Sequence, residues 1–268
     1  MDAGTMDAAN LFAPIDPRAT EPVESDPTAE RLRRQRDAAL GYRLLGAFRW
    51  GDLGDGHISA RDPIRTNCLW LLRYGVSFHE ATVADLVLID AQGNVVEGDA
   101  VNDPTVGINP AAHHIHTPLH EARPDVVSAA HTHTPWGTSF SAEVREFDPI
   151  SQEACSFYED QAVWNDEEVQ VFSTDGGQRL AQTLGSRRLA ILRNHGLLTV
   201  GASVAEAVGW YILAERVAEI HVKMGDRAQP IGAEMARRVY DELGRPNNAW
   251  HLFQHLVRRH IPDPTVVG

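Results

Sequence analysis

Apolar and polar residues along the chain alternate with helical spacing in some segments and strand spacing in others. In residues 29–50, apolar positions recur every three or four residues among arginines and aspartates, which predicts an amphipathic helix. Shorter apolar runs, bounded by glycine, asparagine and aspartate, predict strands. These lie at residues 56–61, 67–73, 86–90 and 95–96, and later at 126–131, 169–172, 189–192 and 197–201.

Further helices are predicted between and after these strands. They cover residues 109–122, 136–142, 175–184, 203–224, 233–243 and 249–259, and Gly185 provides a stop for one of them. Because strands and helices alternate through the middle of the chain, we expect an α/β fold with helices on both faces of one sheet. Residues 1–27 are rich in acidic residues, proline and alanine with little periodicity, which predicts a flexible N-terminal arm before a domain spanning residues 28–268.

Three histidines stand at the ends of predicted strands. His131 and His133 close the apolar run before them, and side chains two residues apart on a strand point to the same face. His195 follows another apolar run. If the three converge, they form a catalytic type of metal site with an open coordination position. The alternative is that such histidines only bond to backbone, and the chain has 13 of them.

Composition narrows the function classes. The formal net charge of −13 argues against a nucleic-acid partner, because phosphate binding needs a basic surface. We expect no membrane partner, since no stretch approaches the roughly 20 apolar residues that span a bilayer. The acidic start lacks signal-peptide character, so the expected location is cytoplasmic. The two cysteines are too few for a disulfide framework.

Two motifs resemble the class II aldolase/adducin family. They are Arg123-Pro124-Asp125 leading to His131-Thr132-His133, and the stretch from Asn194 to Gly201, and the likeness runs from about residue 31 to residue 224. The resemblance implies a three-layer α/β/α sandwich with a central mixed, largely antiparallel sheet. It also implies a homo-oligomer, often a tetramer, with one divalent ion per subunit on His131, His133 and His195. Zinc is the first expectation, and Fe(II) or Mn are alternatives.

Departures from that family pattern bear on the substrate. Sugar-phosphate aldolases of the family carry a catalytic glutamate where this chain has Ala112, and phosphate-binding serines where it has Pro110 and Ala111. Their phosphate loop corresponds to residues 52–59, in which two aspartates would repel a phosphate. We therefore expect a small carbonyl or carboxylate substrate without a phosphate group.

Other residues are candidates for the missing acid or base. His116 matches a histidine that family members often carry at this point of the helix, and His113 and His120 lie on the same helix. Glu153 and Tyr158 fall in stretches that resemble adducin-like members, where a carboxylate approaches the metal pocket. A surface carboxylate and a solvated polar helix face are the plainer interpretations of these residues.

Three functions remain open at this point. The first is a metal-dependent lyase that cleaves a C–C bond of a hydroxy- or keto-acid, by retro-aldol cleavage or decarboxylation, through a metal-stabilised enediolate. The second is a non-haem Fe(II) oxygenase acting on an aromatic keto acid, since the family includes branches resembling aminocoumarin-pathway enzymes. The third is a non-catalytic, adducin-like oligomeric protein, because fold does not fix function.

Overall fold

A single eight-stranded sheet forms the centre of the protein. The computed structural model describes residues 15–51, 53–98 and 107–268. The strand order is β4-β3-β2-β1-β5-β8-β7-β6, and neighbouring strands are antiparallel except for the parallel pair β6 and β7. The strands are β1 (His57–Arg61), β2 (Leu69–Leu72), β3 (Leu86–Ile89), β4 (Val95–Glu97), β5 (Ser128–Thr132), β6 (Gln161–Trp164), β7 (Leu189–Leu192) and β8 (Gly196–Gly201).

Helices cover both faces of this sheet. Contacts place α1, α3, α5 and α7 on one face, α2 and α4 on the other, and α6 beside the turn that follows residue 153. The helices are α1 (Pro27–Ala47), α2 (Pro110–Ala122), α3 (Pro135–Ser141), α4 (Thr174–Leu184), α5 (Val204–Met224), α6 (Ala233–Leu243) and α7 (Pro246–His260). The three-layer α/β/α sandwich with a mixed, largely antiparallel sheet is thus confirmed.

Strand periodicity divides the core between the two helical layers. In β7, Leu189 and Ile191 pack with the α5 side, whereas Ala190 and Leu192 pack with the α2 and α4 side. The central strands β5, β7 and β8 are buried along their whole length. Because these strands are packed on both faces, they hold the side chains at their ends in defined positions.

One predicted strand is wrong and one strand was missed. Residues 169–172 form no strand, because Phe172 is exposed and its N–H binds the Glu168 carboxylate at the turn before α4. The missed strand is β6 at the sheet edge, which begins with a glutamine. The Gln161 amide binds both backbone groups of Phe147, so a polar residue is satisfied inside this strand.

Part of the predicted N-terminal arm contacts the domain. Residues 1–14 lie outside the described residues. Ala19 O accepts hydrogen bonds from Asn247 and His251 of α7, while Glu21 binds Arg33 of α1 and Ser203 at the start of α5. No helix among the described residues is long and apolar enough to cross a bilayer.

Candidate metal centre

The candidate site lies at one edge of the sheet, where three chain segments meet. β1 starts there, β5 ends there, and the turn from β7 to β8 lies beside them. His57 at the start of β1 is the direct strand partner of His131 in β5, and Thr132 pairs with Leu197 just after the turn that carries His195. The antiparallel register therefore brings together residues that are far apart in sequence.

The three predicted ligands do converge. His131, His133 and His195 each offer a nitrogen, and these nitrogens lie within 4.8 Å of one another. The ring centroids are separated by 4.8 to 5.3 Å. Between the first two ligands, the Thr132 N–H donates to the Tyr211 hydroxyl, which in turn donates to the Thr132 carbonyl. Among the described residues this is the one group of three or more histidine, cysteine or acidic side chains arranged to hold a metal ion.

Surrounding groups orient the rings as metal ligands require. His131 Nδ1–H donates a hydrogen bond to the Leu197 carbonyl at 2.8 Å. The unprotonated Nε2 is therefore the ring nitrogen that is free to ligate a metal. The Asp55 carboxylate lies 2.9 Å from Nδ1 of His133 and favours a proton there. His195 Nδ1 is buried and has no hydrogen-bond partner among the described residues. These features fit a divalent ion, which neutral imidazoles bind readily.

Two backbone positions shape the segments that carry these side chains. Gly56 has φ +92°, and a Cβ there would lie 2.4 Å from the Thr132 side chain, so only glycine allows β1 to start this close to β5. Asn194 has φ 54° in the turn before His195, a left-handed conformation that asparagine tolerates better than most residues. Together they fix where Asp55, His57 and His195 stand.

Burial favours the uncharged form of two of the three predicted ligands, His131 and His195. Desolvation is the main cause that lowers the pKa of His131 well below its usual value and that of His195 to about 4, with a smaller contribution from neighbouring imidazoles. An uncharged imidazole is the form that ligates a metal. The site is therefore poised for a cation near neutral pH.

A fourth histidine beside the cluster was missed by the sequence reasoning. The His57 ring lies 5.1 Å from that of His131, and its Nδ1 is 2.5 Å from Nε2 of His116. His116 in turn contacts Ser59, and Ser59 contacts His120. The spacing of His57 and Ser59 in a predicted strand placed the two on one face, but which strand and helix that face meets depends on the strand order.

A cavity of about 200 Å³ opens beside His57. Its wall includes Ala112, the position of the absent glutamate, together with Phe78 and the exposed Tyr74. His57 thus both lines this cavity and contacts the imidazole cluster. Trp70, an aromatic residue that could also line a pocket, is instead buried and bound to Asp62.

The comparisons with known proteins agree with this geometry. Residues 36–222 match the family description "Class II Aldolase and Adducin N-terminal domain". This chain belongs to the class II aldolase/adducin family. The resemblance carried by the two histidine motifs is therefore confirmed.

Relatives in this family differ in their named activities. The "4-hydroxy-3-prenylphenylpyruvate oxygenase/4-hydroxy-3-prenylbenzoate synthase" of Streptomyces roseochromogenus subsp. oscitans is 34% identical over 204 residues, 75% of this chain and 72% of that protein. "Decarboxylase NovR" of Streptomyces niveus is 34% identical, covering 75% and 73%. The solved "L-fuculose 1-phosphate aldolase from Glaciozyma antarctica PI12" superimposes with TM-score 0.81 at 27% identity, covering 96% and 98% of the two chains.

The predicted catalytic residues are not gathered at one place in this family member. His116 lies fully buried behind His57. Glu153 lines a separate cavity of about 670 Å³ together with Trp50 and Trp136. Tyr158 packs against Arg237 of α6 and precedes β6, at the opposite strand end from His195. Within one chain, Tyr158 is therefore remote from the three imidazoles.

Proposed function

We propose that this protein is a divalent-metal-dependent lyase that cleaves a C–C bond of a non-phosphorylated hydroxy- or keto-acid, by retro-aldol cleavage or decarboxylation. His131, His133 and His195 would hold one ion per subunit, with zinc first and Fe(II) or Mn as alternatives. The observation that carries the proposal is the convergence of these three imidazoles next to His57, which lines a cavity.

The chain's own groups prepare the site for such a reaction. When bound, the ion would act as a Lewis acid that polarises an oxygen of the substrate. The Leu197 carbonyl and the Asp55 carboxylate hold two of the imidazoles in fixed orientations, which limits reorganisation during the reaction. The cavity is lined by His57, whose ring lies 5.1 Å from that of His131, and would give a small acid room near the cluster.

Several features support a substrate without phosphate. The first turn of α2 offers Pro110 and Ala111 instead of hydroxyl donors, and the Asp55 carboxylate stands at the cluster. Arg73, a cation in the cavity wall, is already paired with Asp85 at 2.7 Å. A dianionic phosphate would find little positive charge here that is not already engaged.

The remaining candidate residues fit an oligomeric enzyme. Tyr158 could act on a substrate only across a subunit boundary, since it precedes β6 at the opposite strand end from His195 of its own chain, and Glu153 lines a different cavity from His57. We therefore include in the proposal a homotetramer with its active sites near subunit interfaces. Light scattering on the purified protein would measure the oligomeric state directly, and a monomer would leave Tyr158 without a catalytic role.

A second candidate function is a non-haem Fe(II) oxygenase acting on an aromatic keto acid. The 34% identity to a protein named as a prenylphenylpyruvate oxygenase favours it. A neutral three-histidine site can hold Fe(II) with positions open for dioxygen and a keto acid. Oxygen uptake that requires Fe(II) and is absent with zinc would select this function over the lyase.

The experiment that tests the lyase is a product screen on metal-loaded protein. A panel of hydroxy- and keto-acids is incubated with the zinc, manganese or iron form, and aldehydes and carbon dioxide are measured. The expected result is product formation that disappears in His131→Ala. Absence of product across the panel, combined with absence of stoichiometric metal, would favour a non-catalytic adducin-like protein.

A further inference from the structure

A buried chain of hydrogen bonds runs from the edge of the metal site into the space between β1 and α2. Its members are His57 and Ser59 on β1 and His116 and His120 on α2, called here the His–Ser chain. His57 and Ser59 are two residues apart on a strand, and His116 and His120 are four residues apart on a helix, so the members of each pair share one face. The facing pairs meet at 2.5 Å, 2.6 Å and 2.8 Å, and all four side chains are buried.

The direction of these hydrogen bonds is set by His120, the member of the chain farthest from the metal site. His120 Nδ1 lies 3.2 Å from the Val126 carbonyl, and a carbonyl can only accept, so Nδ1 carries the proton. Burial lowers the pKa of His120 to about 3, so the ring is uncharged and its Nε2 is an acceptor. The Ser59 hydroxyl must therefore donate to His120 Nε2.

The hydrogen bonds between Ser59 and the metal site have fixed directions as well. Because the Ser59 hydrogen points to His120, its oxygen accepts from His116 Nδ1–H. His116 is 0% exposed, which disfavours a charged ring, so its Nε2 accepts in turn from His57 Nδ1–H. His57 is left with a lone pair on Nε2, the ring nitrogen that does not face α2.

We propose that the His–Ser chain fixes His57 as a hydrogen-bond acceptor, so that the site selects a substrate with a hydroxyl group next to its metal-chelating carboxylate. A lone pair on Nε2 attracts an O–H donor and repels a keto oxygen placed at the same point. His57 would touch the substrate, whereas His116, Ser59 and His120 are positioning residues. This inference rests on the proposed function and narrows its substrate class to 2-hydroxy acids.

His57 also stands where the family's missing group would be needed. It lines the cavity together with Ala112, which has no polar atom to offer a substrate. It lies outside the group of three nitrogens that share one point, so it acts beside the ion rather than on it. The hydrogen-bond acceptor that α2 lacks at Ala112 is thus supplied by His57 on β1.

The first test reads the tautomers directly. The full chain is labelled with 15N-histidine and studied by NMR without metal and with 113Cd. We expect the Nδ1–H tautomer at His57, His116 and His120. We also expect cadmium coupling to three imidazoles that do not include His57. A proton on Nε2 of His57, or coupling between His57 and cadmium, would overturn the proposal.

A matched pair of variants tests whether the chain does the fixing. Ser59→Ala removes the central hydroxyl, and we expect His57 to become a mixture of tautomers. Ser128→Ala is the control, because Ser128 is equally buried on the neighbouring strand but its hydroxyl has no partner among the described residues. If Ser59→Ala fails to fold, His116→Gln with His113→Gln as control serves instead. An unchanged His57 tautomer in the folded variant contradicts the proposal.

The second test measures ligand choice with lactate and pyruvate as probes. They differ in a hydroxyl against a keto oxygen, and binding to the zinc-loaded protein is followed by NMR titration. We expect lactate to bind more tightly, and His57→Asn, which keeps a donor toward His116, to weaken lactate about tenfold while leaving pyruvate nearly unchanged. Lactate binding no tighter than pyruvate, or equal losses for both, would overturn the inference.

Failure of the proposed function and failure of the tautomer proposal give different experimental results. Loss of stoichiometric metal binding would contradict the proposed function even if the tautomers are as expected. A wrong tautomer at His57 in a protein that binds metal and releases product would contradict only the inference.

Discussion

The stability of the metal-free protein should depend on pH through its buried histidines, and His120 gives a measurable share. Its ring is 3% exposed, and burial lowers its pKa to about 3, against about 6.5 in the unfolded chain. Between these values the unfolded chain binds a proton that the folded chain does not. The stabilising contribution is therefore complete above pH 6.5 and is lost progressively as the pH falls toward 3.

The size of this effect follows from the two pKa values. Lowering the pH from 7 to 5 should cost about 2 kcal/mol of the free energy of unfolding through His120 alone. In His120→Gln this share is absent, so the loss between pH 7 and pH 5 should be smaller than in the wild type by about that amount. Comparing each variant with itself at two pH values cancels any fixed cost of the substitution.

The assay is denaturant unfolding at pH 7, 6 and 5 with a chelator present. His79→Gln is the control, because the His79 side chain is 65% exposed and lies far from the buried histidines in the sequence and outside the sheet edge that they occupy. Its pH dependence should match that of the wild type. Equal losses of stability in the wild type and in His120→Gln would refute the argument that this ring is held uncharged by burial.

Two further predictions concern groups around the cluster. Asp55→Asn should weaken zinc affinity by about 10- to 100-fold, because the carboxylate orients the ligand His133. The control Asp125→Asn changes an exposed carboxylate that is paired with an arginine and should leave zinc affinity unchanged. Competition with a chromogenic chelator measures both affinities. Gly56→Ala should destabilise the fold by more than about 3 kcal/mol, because it combines backbone strain with a clash against Thr132. The control Gly54→Ala should cost about 1 kcal/mol, since Gly54 also has a positive φ but has open space around it. Thermal unfolding compares the two variants, and equal losses of stability would count against the close approach of β1 to β5.

Most of the fold follows from local patterns in the sequence. The helix α5 and the strand β7 are long or continuous apolar segments with clear boundaries, so both were predicted at nearly their observed positions. The edge strand β6 was not, because its burial depends on a glutamine satisfied by a distant backbone segment. The false strand at residues 169–172 arose because acidic side chains held the backbone in a turn instead.

The candidate site was predictable from the sequence where the spacing of residues alone decides which way their side chains point. His131 and His133 share a face because strand side chains alternate, and the motif around His195 marked the third position. The role of His57 depends on which strands are neighbours, and strand order is a long-range property that no local pattern contains. The same limit explains Tyr158, whose distance from the cluster becomes visible only with the strand order of β6 and β7.

The most direct test of the central claim is metal analysis combined with X-ray absorption spectroscopy on purified protein. We predict one divalent ion per chain with three imidazole ligands, and loss of that ion when His131, His133 and His195 are all replaced by alanine. Stoichiometric metal retained in the triple variant, or no metal bound by the wild type, would contradict the account.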